Sequence, residues 1–297
     1  MNVLPTAMRC NEFDTHTLEE YERFLSSAEA QFQRDRELCI IREHLGEEEY
    51  GVPGHCGVCS REVAFLVNRL CGATDQPDGT WVPNWRERLV CPVCALNARQ
   101  RIVAATARRI ARGVTGRPVS AYLMEQITPI YRNLSQGVPE VEWVGSEYLG
   151  DGLAGGTLSD GVRHEDVERL SFPDGRFDLL ISNDVFEHVN DHRRALAECF
   201  RVMRPEGKLL VTIPFHARRK VNVQRACRVD TGIRHIEEPL YHGNPLSEKG
   251  SLVFTDFGWD FAADLASVGF RDVAYRLYWD VTHGYLGVGH GYFYAEK

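Results

Sequence analysis

From Val119 onward, apolar runs and amphipathic stretches alternate, and this alternation restricts the fold more than any other feature of the chain. Strands are predicted at VSAYLME, VEWVGSEYL, VRHED, FDLLISND and KLLVTIP. Helices fall near PIYRNLSQ, in a short segment before Arg163, and at DHRRALAECFRVM. That order demands parallel strands joined by right-handed crossovers, so the expected class is α/β with helices on both faces of the sheet. Ligands of such sheets lie outside the carboxyl ends of the strands. After Pro214 the pattern lapses for some forty residues, then resumes as a helix at WDFAADLASVG and strands at FRDVAYRLYWD and HGYFYAEK. Long irregular stretches in compact domains are usually functional or disordered. Residues 215–260 are therefore the predicted substrate loop.

Ahead of this region stand two cysteine pairs, Cys56-x2-Cys59 and Cys91-x2-Cys94, separated by 31 residues. Two thiolates two residues apart grip one ion from a tight turn, and a second such turn closes a tetrahedral four-sulfur site. Such a site has no open position, so a zinc ion there would serve folding rather than catalysis. The competing reading is unrelated or redox cysteines. Cys10, Cys39, Cys71, Cys199 and Cys227 are scattered, and Cys39 and Cys199 fall on apolar positions of helical patterns, where a small buried thiol is routine. Nine cysteines and no secretory leader argue against a disulfide framework and for a cytoplasmic protein. No run of residues is long and apolar enough to span a bilayer.

The segment THTLEEYERFLSSAEAQFQRDRELCIIREHL reads as one or two amphipathic helices, with Thr17 and Glu20 as a capping box and Leu18, Tyr21, Leu25, Ala28, Phe32, Leu38, Ile41 and Leu45 as the apolar stripe. It is expected to pack on the main body or on a second subunit, as in a homodimer. Between the cysteine pairs, VAFLVNRL fits a strand or a short helix, and ALNARQRIVAATARRIARG is a helix. Three parts follow: a helical arm over 1–50, a zinc-binding module with its trailing helix over 51–117, and an α/β domain over 118–297. Net charge divides accordingly, at −7 for residues 1–50, +6 for 51–118 and −7 for 119–297.

Within the α/β part, LSFPDGRFDLLISNDVFEHVNDHRRALAECFRVMRPEGKLLVTIPF resembles the class I S-adenosylmethionine-dependent methyltransferases, especially the broad type-11 group. The resemblance rests on Asp166, the turn Leu170–Asp174, the strand start Phe177–Leu180, the E-H-V at Glu187–Val189, and Arg201–Pro214. It implies a Rossmann-like sheet and S-adenosylmethionine as cofactor. By that resemblance Glu147 would accept the ribose hydroxyls, Asp166 and Val167 would meet the adenine, and Asn183 and Asp184 would lie under the methionine part, with His188 beside it. The chain departs from the family at the first strand, where LMEQITPIY keeps an acid, Glu125, but lacks the glycine-rich turn. Thr128 and Pro129 there read as the N-cap and first residue of a helix. Either Glu125 engages the cofactor's ammonium while the helix-start amides take its carboxylate, or the pocket is degenerate.

Motifs identify the methyl donor better than the acceptor. His216, His235 and His242, in the loop with Tyr241 and Asp256, are the candidate catalytic bases, since imidazole titrates near neutrality. The leading reading is O- or N-methylation of a small molecule of sugar or natural-product type. The alternative is an RNA methyltransferase whose zinc module contacts RNA through Arg86, Arg88, Arg99, Arg101, Arg108, Arg109 and Arg112. A third is a non-catalytic cofactor-binding or interaction protein, supported by the missing glycine turn.

Overall fold

Parallel strands buried on both faces must be apolar almost throughout, and the centre of this chain meets that condition in a computed structural model that describes residues 11–297. Cys10 and the start of the arm lie outside those residues. The strands are β1 (Glu12–Thr15), β2 (Glu49–Cys56), β3 (Arg61–Asn68), β4 (Thr74–Asp75), β5 (Trp81–Val82), β6 (Val119–Leu123), β7 (Val141–Gly145), β8 (Leu158–Ser159), β9 (Val162–Arg163) and β10 (Phe177–Asn183). They continue with β11 (Met203–Thr212), β12 (Val223–Gln224), β13 (Ala226–Val229), β14 (Gly232–His235), β15 (Tyr241–Asn244), β16 (Ser247–Leu252), β17 (Thr255–Asp256), β18 (Arg271–Tyr278) and β19 (Gly291–Glu296). The helices are α1 (Leu18–Leu25), α2 (Ala28–Glu43), α3 (Ala98–Gly113), α4 (Pro129–Gly137), α5 (His192–Val202) and α6 (Asp260–Val268).

A seven-stranded sheet runs β1-β18-β19-β11-β10-β6-β7. β7, β6, β10 and β11 are parallel neighbours, and β19 pairs antiparallel with β11. Every residue of β6 is buried, as are the first six of β10. This is the parallel α/β sheet expected from the alternation, and it agrees with the Rossmann-like sheet that the resemblance implies. The chain forms two compact units. One comprises residues 11–14, Arg23–Ile102 and Arg276–Gly291, the other Thr15–Glu22, Val103–Tyr275 and Tyr292–Lys297.

In the first unit VAFLVNRL resolves to strand, because β3 pairs along its whole length with β2. Arg101 lies in the core of this unit, fully buried. Its guanidinium stacks 3.9 Å from the Phe65 ring and 4.7 Å from Tyr285, and it donates to the carbonyls of His283, Leu89 and Gly284. The arm is two helices, broken where Ser27 caps α2 by accepting the Ala30 amide. Its stripe is not the expected one. α2 buries Ala30, Gln33, Glu37 and Ile41, while Phe32, Leu38 and Leu45 are exposed and Cys39 is an exposed rather than a buried thiol. The reason is polar: the Glu37 carboxylate accepts from the Trp279 indole at 3.0 Å and the Gly287 amide at 2.6 Å, which turns the helix onto that face.

In the second unit the expected strand VRHED shrinks to a two-residue hairpin, β8 with β9, and one parallel bridge between Glu147 and His164; that hairpin also replaces the short helix expected before Arg163. The segment after Pro214 is not irregular but contains the hairpins β13–β14 and β15–β16 and the small ladder of β12 with β17. Phe215, Phe261, Tyr275 and Phe293 form an aromatic core, with ring centroids 4.6–5.0 Å apart.

Candidate functional site

The four sulfurs of Cys56, Cys59, Cys91 and Cys94 lie within 4.8 Å of one another. Cys56 and Cys94 are 3.8 Å apart and Cys59 and Cys91 3.6 Å. Thiolates about 2.3 Å from one tetrahedral ion stand roughly 3.8 Å apart, so the spacing fits. Both knuckles use the same turn. The amide four residues after the first cysteine returns to its carbonyl, Ser60 to Cys56 at 2.8 Å and Ala95 to Cys91 at 2.9 Å. Ser60 and Ala95 both take left-handed backbone, φ 53° and 59°. The Cys94 hydrogen bond pulls the Cys56 thiol down to about 4, and burial pushes Cys59 up to about 12.

The arginines around the second knuckle mostly turn inward. Arg88, Arg99 and Arg101 are buried, Arg86 and Arg99 pair with Glu87, and Arg108 donates to Asn133. Arg109 and Arg112 are exposed.

In the second unit Glu147, Glu125 and Asn183 stand at the carboxyl ends of β7, β6 and β10, while Asp166 and Val167 follow β9. Glu125, 9% exposed, accepts from Asn183 Nδ2 at 2.6 Å. Glu147 Oε1 accepts the amides of Gln126 at 2.7 Å and Ile127 at 3.0 Å, and so shapes the loop that lacks glycines. Close approach is provided instead by Gly145, where a Cβ would stand 2.6 Å from the Tyr131 ring and 2.9 Å from the Glu125 carbonyl oxygen. Thr128 is the N-cap of α4 and Pro129 its first residue, but the Thr128 hydroxyl makes no capping bond and its oxygen is enclosed without a partner. An orphaned hydroxyl at a helix start facing this loop fits a bound polar group.

Asp166 caps its own turn, accepting the Glu168 amide at 2.9 Å, and Val167 lies within that turn, half-buried. Asp184 closes β10 in left-handed backbone, φ 52°, with its carboxylate accepting from Thr212 Oγ1 at 3.1 Å. Beyond it, His188 Nδ1 meets the Leu252 carbonyl at 2.8 Å, and its ring stands edge-on to His242, centroids 5.2 Å apart.

The three candidate bases are not assembled into one cluster. His242, on β15, joins His188. His216 is near Asp256, 3.8 Å away, and burial followed by the Arg219 charge holds its imidazole below the ordinary value. His235 is exposed on β14, opposite Ala226. Sequence reasoning passed over two buried acids. Glu165 binds Arg163 and both the amide and the hydroxyl of Ser171. Glu187, inside the E-H-V turn, is 1% exposed, and burial drives its carboxyl upward. An acid flanked by phenylalanine and histidine was the available signal for the second.

Residues 148–211 match the family profile described as a methyltransferase domain. A probable S-adenosylmethionine-dependent methyltransferase of Mycolicibacterium smegmatis is 29% identical over 36% of this chain and 54% of its own length. A demethylmenaquinone methyltransferase of Deinococcus radiodurans is 33% identical over 26% of this chain and 35% of its own. The chain thus spans about half or less of these relatives. Among solved structures, the 1,6-didemethyltoxoflavin-N1-methyltransferase of Burkholderia thailandensis overlaps 67% of this chain and 78% of its own, with 16% identity and a TM-score of 0.37. The stretch matched by the methyltransferase profile lies within the second unit, from the end of β7 to β11.

Proposed function

We propose that the protein is an S-adenosylmethionine-dependent methyltransferase acting on an oxygen or nitrogen of a small molecule, with structural zinc in its four-cysteine site. The observation that carries this reading is the convergence of Glu125, Glu147 and Asn183 at the carboxyl ends of three adjacent parallel strands, where ligands of such sheets bind. S-adenosylmethionine, when bound, supplies a methyl carbon on a sulfonium, which an acceptor lone pair displaces while the bonding pair returns to sulfur. The protein's own work is positioning. Glu147 Oε2 would take the ribose hydroxyls while Oε1 keeps the loop amides, and Asp166 with the Val167 amide would meet the adenine. Glu125 would face the ammonium, and Thr128 Oγ1 with the amides opening α4 would face the carboxylate.

A small acceptor is favoured over RNA because three of the seven clustered arginines are buried and a fourth, Arg86, is tied to Glu87, leaving little cationic surface for phosphates. Calorimetry with S-adenosylhomocysteine tests the cofactor site: saturable heat at one equivalent is expected, and none at millimolar ligand ends the enzyme reading. Metal analysis of chelator-free protein tests the zinc, with close to one equivalent expected.

A further inference from the structure

The turn after β10 encloses a carboxyl group that no donor reaches within 3.5 Å, its nearest polar neighbours being two imidazoles. Both Oε atoms of Glu187 are buried without a hydrogen-bond partner. Its neighbours are two imidazoles, with His188 Nε2 at 3.7 Å and His242 Nδ1 at 3.6 Å from Oε1. These separations are too long for hydrogen bonds. The His188 tautomer follows from its other nitrogen. Nδ1 lies 2.8 Å from the Leu252 carbonyl, which can only accept, so Nδ1 carries the proton and a neutral ring turns the Nε2 lone pair toward the carboxylate.

A lone pair facing a buried carboxyl group leaves a place for a proton or a cation between them, since an unpaired buried charge costs several kcal/mol. A proton on Nε2 would give an ion pair, but such pairs close to about 2.7–2.9 Å. Ligands about 2.1 Å from a shared ion stand roughly 3.0 Å apart at a right angle and 3.4 Å at the tetrahedral angle. The observed spacing is nearer the latter, and the ligand atoms of all three residues fall within 4.8 Å of one another. A backbone carbonyl holding the remote ring nitrogen is also the usual support of a ligating histidine.

We propose that Glu187, His188 and His242 form a second metal site, for a divalent first-row transition cation. Two imidazoles and one carboxylate suit such ions and leave positions open. Glu187 and His188 come from the turn after β10 and His242 from β15, so the ion would fasten the β15–β16 hairpin to the carboxyl end of β10. Resting on the methyltransferase reading, the open positions would take an acceptor oxygen and lower the pKa of its proton.

Metal uptake is read without any methyl donor, so its failure and that of the cofactor site are distinguishable. The full chain, its zinc content fixed first, is titrated with Mn2+, a cation thiolates bind poorly, and free Mn2+ is followed by electron paramagnetic resonance. One equivalent bound is expected, with affinity at least about tenfold weaker in Glu187→Gln and His242→Ala. No uptake at millimolar Mn2+, or equal uptake in wild type and folded variants, overturns the proposal. Should a variant fail to fold, Co2+ added to the wild type with its four-cysteine site filled by zinc decides: weak d–d bands arising without thiolate-to-cobalt charge transfer support the site, and d–d bands that appear only together with charge transfer overturn it.

Discussion

Asn183 donates to Glu125 across 2.6 Å, joining the carboxyl ends of two neighbouring parallel strands. The Thr212 hydroxyl lies 3.3 Å from Asn183 Oδ1 and 3.1 Å from Asp184 Oδ1, so its one proton is shared between the two residues that end the strand. Glu125→Ala is expected to weaken S-adenosylhomocysteine binding by roughly ten- to a hundredfold, the worth of one charged hydrogen bond. Calorimetry on the folded variant checks this, and affinity within twofold of wild type would remove Glu125 from the cofactor site.

Glu147 has two tasks that substitution separates. Its Oε1 holds the Gln126 and Ile127 amides, and a glutamine there can still accept both. Glu147→Gln should therefore weaken cofactor binding while leaving hydrogen exchange at those two amides slow. Glu147→Ala should weaken binding further and speed their exchange. Fast exchange in both variants would show that charge, rather than an acceptor atom, holds the loop.

The parallel sheet was legible because its central strands are apolar runs of the right length, and the four-cysteine cluster because its spacing suggests two knuckles. The hairpins beyond Pro214 were hidden by polar, exposed strands such as Gly232–His235, although Asp230-Thr231-Gly232, with Gly232 at φ 126°, is a turn signal. VRHED read as a strand by composition, but its Arg163 and Glu165 are drawn to Ser171, leaving one bridge. The polar buried face of α2 and the Glu187 cluster had no periodic signature, since each depends on partners far along the chain.

Loss of a cysteine should act on folding first. Cys94→Ser leaves three sulfurs around a site whose spacing suits four. Zinc is expected to drop below about half an equivalent, and the β2–β3 hairpin to lose exchange protection, because metal binding and folding of such small modules are one equilibrium. Full zinc content with an unchanged melting temperature would sink the structural role.

Arg101 is a core residue with a cation's name. Arg101→Ala strands the carbonyls of His283, Leu89 and Gly284 and empties the space between Phe65 and Tyr285. A loss of about 3–5 kcal/mol is expected in urea unfolding, while exposed Arg112→Ala should cost under about 0.5 kcal/mol. If Arg112→Ala instead lowered RNA affinity and its salt dependence, with Arg101→Ala stable, the RNA reading would return.

Acid should loosen the turn that precedes β10. Arg201 grips Glu198 with two 2.8 Å bonds and also donates to the Leu170 and Phe172 carbonyls, tying Leu170–Asp174 to α5. The Arg201 hydrogen bonds hold the Glu198 carboxyl below its ordinary value near 4.5. The unfolded chain therefore takes up this proton at higher pH than the folded one. The stabilisation is complete above the ordinary value and disappears as pH falls through the lowered one. For a partly exposed pair it should amount to roughly 1 kcal/mol. Glu198→Gln is expected to melt below wild type at pH 7, with the gap narrowing as pH approaches 3. A gap that stayed constant down to pH 3 would show that packing of α5, rather than the ion pair, accounts for the loss.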